Sequence, residues 1–243
     1  MKIDVNVRAV LVGIFFITVL VGSVFFAKSK RPAFVPPVQS VAGGGASRGA
    51  LKVRGPVNAP VKIVEYSDFQ CPSCRAAQSD LEALFKNYPG KIQLTFKHFP
   101  LKSHQWSIYA HQAAECMNHQ GKFWLYQDTL YAKQQDWSPS KVAPVEILGR
   151  YAQELGAEMK QFGACMADVA VARDIFLEKE EGNKRQVNAT PTFFVGEERF
   201  VGPREMQERG ENAIRKALGL PPKTPAEKKP EPIAPAPLKG AAQ

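Results

Sequence analysis

Cys71-Pro72-Ser73-Cys74 follows directly on a strand-like run, Val61-Lys62-Ile63-Val64-Glu65-Tyr66, and opens a helix-like run. Two cysteines three apart at a helix N-terminus can close into a small ring and reopen, taking up and releasing two electrons. The first sulfur is the exposed one and faces the positive end of the helix dipole, which favours thiolate over thiol. A zinc ribbon requires a second close cysteine pair. The other two cysteines, Cys116 and Cys165, are 49 positions apart. A haem attachment site requires His after the second cysteine, and Arg75 stands there. Redox chemistry is therefore favoured over a metal site or a purely structural bridge.

A second motif lies near the far end, Ala189-Thr190-Pro191-Thr192-Phe193-Phe194-Val195. Proline is tolerated at the head of a β-branched and aromatic strand. One reading is strand-edge punctuation. The other is a cis Thr190–Pro191 bond beside the cysteine pair, with the Thr190 backbone left to pair with an extended client segment. The two motifs together are far more specific than either alone.

With both motifs in view, the chain resembles the DsbA-like branch of the thioredoxin superfamily. The resemblance rests on V-E-Y-S-D-F-Q-C-P-S-C at 64–74, F-K-H-F-P at 96–100, A-A-E-C at 113–116, G-K-F-W at 121–124 and T-P-T-F-F-V-G at 190–196. The 120 positions from Cys71 to Pro191 leave room for that branch's helical insertion. The resemblance implies that Cys71 is the attacking cysteine, Cys74 its buried partner and Thr190-Pro191 the substrate-binding cis-proline loop. It also implies that Glu65 is a buried acid assisting proton movement; the alternative is a strand-end carboxylate in solvent. Strongly oxidising members often carry His inside the motif. Here Pro72-Ser73 offers no cation, so a smaller pKa depression is expected at Cys71.

The 243 residues carry a net charge of +9, which invites a nucleic-acid reading. Its distribution removes that reading. Residues 1–50 hold +5 and residues 221–243 hold +2, leaving only +2 on 51–220 and no basic stripe interleaved with aromatics. Ala9 to Ala27 is a 19-residue apolar run. As a helix it would be about 28 Å long, close to the hydrocarbon thickness. Residues 1–27 are thus expected to be a membrane anchor, or else a cleaved signal segment, for which Phe25-Phe26-Ala27 is a poor cleavage match. Reactive cysteine pairs persist as disulfides outside the cytosol, so an extracytoplasmic, periplasmic domain is expected with either. Residues 28–50, rich in Pro, Gly and Ser, read as a flexible linker. Residues 221–243, with seven prolines, read as a disordered tail.

Residues 51–220 read as one α/β domain: a thioredoxin-like mixed sheet with flanking helices and a DsbA-like helical insertion at about 103–185. After Cys74, the spacing of Ala77, Leu81, Leu84, Phe85 and Tyr88 predicts a helix that Pro89-Gly90 stops. Ile92, Leu94 and Phe96 alternate as a strand. Phe123, Trp124, Tyr126, Leu130 and Tyr131 read as core, and Asp136-Trp137-Ser138-Pro139 as a break. Phe193–Val195, Gly196-Glu197-Glu198-Arg199 and Phe200-Val201 read as strand, turn and strand, and Glu205 to Leu218 as a closing helix.

Cys116 and Cys165 both fall in the insertion. If Cys71 and Cys74 are the reactive pair, these two remain, either as a structural disulfide or as two buried thiols. A bridge closing about 50 residues would stabilise the fold by roughly 4 kcal/mol in the chain-entropy model. Of the four histidines, His104 and His111 could share a helix face, and His98 is expected to be partly exposed. Metal ligation by His104 and His111 is not favoured, so no metal site is read, and no organic cofactor is implied. The leading reading is a thiol–disulfide oxidoreductase acting on exported proteins, reoxidised, by resemblance, by a quinone-linked membrane partner. A reductase or isomerase, and a membrane-tethered copper-binding module, are the alternatives.

Overall fold

The computed structural model describes residues 52–223. The expected anchor (1–27), the linker (28–50) and all but the first three residues of the tail (221–243) lie outside the described residues. Five strands form one mixed sheet: β1 (Val53–Arg54), β2 (Val61–Ser67), β3 (Ile92–His98), β4 (Thr192–Val195) and β5 (Glu198–Val201), in the order β1-β3-β2-β4-β5. β2 is central. It pairs in parallel with β3, Ile63 opposite Leu94, and antiparallel with β4, Ile63 opposite Val195.

The period-2 geometry of β2 divides its residues between two cores. Val61 and Ile63 face one side, where α1 (Pro72–Asn87) lays Ala77, Leu81 and Leu84 onto them with Leu94 and Phe193. Glu65 and Ser67 share that parity and are buried. Val64 and Tyr66 face the other side, against Phe99, Val187 and Phe194. α1 begins at Pro72, whose fixed φ and missing N–H suit a first helical position. It ends at Asn87, and Gly90, at φ +71°, turns the chain into β3.

Between β3 and β4 come six helices: α2 (Ser107–Asn118), α3 (Phe123–Ala132), α4 (Gln134–Trp137), α5 (Val145–Glu154), α6 (Met159–Met166) and α7 (Val169–Lys184). They build a core of Phe123, Tyr126, Leu130, Trp137, Leu148 and Tyr151 that reaches Phe69 and Phe96 of the sheet region. Cys116 on α2 and Cys165 on α6 form a disulfide with Cα atoms 5.6 Å apart. α7 crosses the opposite face of the sheet, where Glu181 accepts from the Tyr66 hydroxyl at 2.8 Å.

Three local expectations are corrected. Trp137 is not part of a loop; it ends α4, fully buried, with its indole donating to the Leu130 carbonyl at 3.0 Å. The β4–β5 turn is only Gly196-Glu197, because Glu198 and Arg199 already pair with Val195 and Phe194. Two-residue turns match strand twist, and Gly196 supplies φ +60°. The closing helix starts earlier, as α8 (Gly202–Glu205), then widens into a π-turn at Met206–Gly210 before α9 (Glu211–Ala217). Gly210 packs so tightly on Met206 that a Cβ there would lie 2.4 Å from its sulfur. β1, two residues long, carries no pattern that sequence could reveal.

Gly182 marks the closest approach of α7 to the sheet. A Cβ there would stand 2.8 Å from the Phe99 ring and 2.9 Å from Tyr66. Gly182→Ala gains helix propensity but overpacks this contact, and a net loss of about 1–3 kcal/mol is expected. Urea titration measures it, and an unchanged or raised midpoint would refute the packing argument.

Candidate active site

Cys71 caps the N-terminus of α1 with extended backbone, φ −76° and ψ 121°. Its amide donates to the Asp68 carbonyl at 3.1 Å, closing the turn between β2 and α1. The Cys71 thiol donates to the Thr190 carbonyl at 3.4 Å, and Thr190–Pro191 is a cis peptide. Residues 119 positions apart thus meet at the reactive sulfur. Cys74, one helical turn on, accepts from the Asp68 amide at 3.4 Å. Both cysteines are free thiols in this structure. Cys71 is not the open sulfur that the sequence leads one to expect: the residue keeps 7 % of its surface and Cys74 none.

The two sulfurs are driven apart in acidity. A hydrogen bond from the Cys74 thiol is the largest influence on Cys71. Burial opposes it, and Thr190 with the amides of Cys74 and Ser73 adds to it, bringing Cys71 down to about 5. The depression is large although Ser73 supplies no charge. Burial pushes Cys74 well above the ordinary thiol range, and the neighbouring Cys71 adds to that.

Glu65 is fully buried, not a solvated strand end. Burial raises its pKa to about 7, against hydrogen bonds from Ser67 and Gln78. Ser67 Oγ donates to Glu65 Oε1 at 2.7 Å and lies 2.9 Å from the Tyr131 hydroxyl. Ser67 also hydrogen-bonds Cys74, so the serine lies between acid and sulfur. Gln134 clamps the turn, its amide donating to the carbonyls of Phe69 at 2.8 Å and Cys71 at 3.0 Å.

Cys71, Cys74, Glu65, Thr190 and Pro191 are therefore brought together, while the Cys116–Cys165 bridge belongs to the insertion helices. Ser67, Asp68, His104, Tyr131 and Gln134 were missed. Ser67 was legible, since it shares the strand face of Glu65. Tyr131 and Gln134 arrive from the insertion and carry no local signal. His98 is not partly exposed: at 1 % it is buried, its Nε2 3.0 Å from Glu115. His104 precedes α2, so it does not share a helix face with His111. Both turn instead toward Asp68, His104 Nδ1 at 2.9 Å and His111 Nε2 at 3.9 Å. Among the described residues no group of three or more His, Cys, Asp or Glu is arranged to hold a metal.

In the reduced protein, thiolate absorbance should rise with a midpoint near 5, and iodoacetamide at neutral pH should label Cys71 and spare Cys74. Equal labelling of both would refute the asymmetry. Glu65 is neutral when buried, so its contribution to stability is whole below 4.5 and is lost as pH rises through about 7. Glu65→Gln has no such loss. Relative to wild type in the same redox form, it should gain about 3 kcal/mol between pH 5 and pH 8 by urea titration. A pH-independent difference would place the carboxylate in a wetter site than the one described.

The family model Thioredoxin_4, described as thioredoxin, matches residues 49–214. Oxidised BdbD from Bacillus subtilis superposes with a TM-score of 0.61 at 25% identity, covering 74% of this chain and 100% of that one. A thioredoxin-like oxidoreductase from Silicibacter pomeroyi gives 0.59 at 26% identity, covering 70% and 94%. Wolbachia pipientis alpha-DsbA1 gives 0.62 at 22% identity, covering 70% and 92%, a likeness of fold. Among curated proteins, the Na(+)/H(+) antiporter NhaA 3 of Salinispora tropica is 36% identical over 152 residues, which is 62% of this chain but 22% of the antiporter. This chain thus spans about a fifth of the length of the curated relatives it matches. Among the described residues no helix is long and apolar enough to cross a membrane. By its sequence the chain belongs to the thioredoxin family, and its fold is similar to that of alpha-DsbA1.

Proposed function

We propose that this chain is a thiol–disulfide oxidoreductase that oxidises exported client proteins outside the cytosol. The observation that carries the reading is the unequal pair of sulfurs at the head of α1: a Cys71 held as thiolate near neutral pH beside a Cys74 held as thiol. A stable Cys71 thiolate makes the reduced form the favoured one, which is the property of an oxidant.

In the oxidising direction a client thiolate attacks the Cys71 sulfur of the Cys71–Cys74 disulfide, and Cys74 leaves. Cys74 must then take a proton, because burial excludes its thiolate. Glu65, with a pKa of about 7, is suited to supply it through the Ser67 hydroxyl. The client's second thiolate attacks the client sulfur of the mixed disulfide, and Cys71 departs as thiolate. Two electrons pass from client to enzyme. Of the client's two thiol protons, one is accounted for by the Cys74 thiol and the other is released.

Thr190-Pro191 is the substrate-binding element, its backbone aligned beside Cys71 to pair with an extended client strand. The Cys116–Cys165 disulfide is structural, tying α2 to α6. Reoxidation falls to a membrane redox partner, quinone-linked by the DsbA-like resemblance. The apolar run at 9–27, as an anchor, would hold the domain on the periplasmic side of the membrane. None of these steps calls on a metal or organic cofactor.

Cys71→Ser should abolish oxidation of a dithiol peptide, and Cys74→Ser should trap a mixed disulfide when its Cys71 thiolate attacks a glutathionylated peptide and glutathione leaves as thiol. Retained turnover in Cys71→Ser would defeat the assignment. The direction is tested by equilibrating the pair with glutathione, where about 30 mV corresponds to a tenfold shift. A potential as reducing as that of cytosolic thioredoxins would turn the assignment to a reductase or isomerase.

A further inference from the structure

The cysteine motif itself supplies no positive charge, yet a histidine stands behind it. Asp68 is the joint. Its backbone carbonyl and amide bind Cys71 N at 3.1 Å and Cys74 Sγ at 3.4 Å. Its side chain is fully buried, with Oδ1 accepting from Gln70 N at 2.8 Å and Ser107 Oγ at 2.7 Å. Oδ2 accepts from Leu101 N at 2.8 Å and His104 Nδ1 at 2.9 Å. A buried carboxylate this close to the cysteine pair repels a thiolate. Protonated His104 cancels that charge; neutral His104 leaves it standing.

We propose that His104, fixed on Asp68 behind the Cys71–Cys74 turn, is the cation that stabilises the Cys71 thiolate, and that it binds its proton more tightly when the disulfide is reduced. The inference rests on the oxidoreductase reading above. The stoichiometry closes: the client dithiol gives two electrons and two protons, Cys74 keeps one proton as thiol, and the other is released, a fraction of it held by His104 at pH values near its own titration. The imidazole is placed for this role. Its Nδ1–H stays on Asp68, and its side chain is 21 % exposed, so Nε2 can exchange protons with solvent.

The charged and titratable groups around it are Asp68, Cys71, His111 and Lys179. Asp68 draws a proton onto His104 most strongly, burial opposes this, and the Cys71 charge reinforces it. His111 lies behind in the core and is neutral, its pKa driven far down by burial and then by the charges of His98, Lys52, Lys179 and His104. Lys179 is anchored on the Pro100 carbonyl at 2.5 Å. His104 is therefore a positioning and charge-balancing residue that acts on Cys71 across Asp68.

Linkage makes the effect reciprocal, so it can be read from both ends. The ring of His104 is titrated by NMR in the oxidised and the reduced wild-type protein. His104 should titrate higher in the reduced form, about threefold in proton affinity. His104→Asn keeps a donor to Asp68 and removes the charge. Its reduced form should show a Cys71 thiolate about threefold weaker as an acid and a potential lower by about 15 mV in the two-electron couple. Above the reduced-state pKa of His104 the wild-type and variant potentials should converge. Identical His104 titration in the two redox forms overturns the proposal, as does an unchanged Cys71 midpoint in folded His104→Asn. The wild-type comparison decides even if the variant fails to fold. If Cys71 and Cys74 cannot be bridged at all, the oxidoreductase reading falls and this one with it. If they bridge and His104 does not respond, only this one falls.

Discussion

The active turn depends on a carboxylate that is buried at the end of the central strand. Asp68 is taken wholly from water, a change that would be prohibitive for an unpartnered ion. Four donors compensate, two of them backbone amides. Each donor comes from a segment that has to be positioned: Gln70 in the cysteine turn, Leu101 and His104 after β3, and Ser107 at the head of α2. One side chain thereby fixes the start of the insertion against the start of α1. The same residue's backbone holds both cysteines. Loss of any one donor would leave the carboxylate short and loosen the cysteine geometry with it.

A second polar network lies deeper, and it explains how the insertion can sit on the sheet without an all-apolar interface. Lys52, just ahead of β1, bridges Glu115 of α2 at 3.1 Å and Glu178 of α7 at 2.8 Å. Glu115 in turn meets His98, and His98 Nδ1 approaches His111 Nδ1 to 2.5 Å. Burial alone would raise Glu115, but His98 and Lys52 hold it below the usual carboxylate range. Burial keeps both histidines toward neutrality, so one ring donates and the other accepts. The network ties β1, β3, α2 and α7 by directional bonds, where an apolar contact would permit sliding.

What could be read in the sequence divides along physical lines. Alternation in Val61–Tyr66 and Ile92–Phe96, and the helical spacing from Ala77 to Tyr88, are local patterns with local causes. The sheet strands and α1 follow from them. The cysteine turn and the Thr190-Pro191 loop were legible because each has a distinctive chemical signature at a fixed place in a strand–helix or loop–strand unit. The insertion resisted. Its helices are short, several lack side-chain caps, and Trp137 is buried by neighbours rather than by its own periodicity. The histidines resist for a related reason. His98 alternates correctly with Phe96, so it falls on the buried face, but only the arrival of α2 with Glu115 makes that tolerable. Asp68 and His104, 36 positions apart, have no signal until the chain is folded.

The asymmetry between the sulfurs is a consequence of these constraints and not of the motif alone. Cys71 occupies the N-cap, where the amides of Ser73 and Cys74 lack intrahelical partners and favour the negative form of its sulfur. Cys74, one turn on, is inside the helix and inside the core, where only the neutral thiol is compatible with its surroundings. Two identical side chains, three positions apart, thus hold opposite protonation states near neutral pH. The proton that separates them has no route through solvent at Cys74, since that residue has no exposed surface. Glu65 and Ser67 lie on the inward parity of β2, which is otherwise apolar, and an acid there costs stability as pH rises toward neutrality. A strand of this kind would be more stable with leucine at 65. Retaining a titratable group under a buried thiol is intelligible if that thiol has to gain and lose a proton in every cycle.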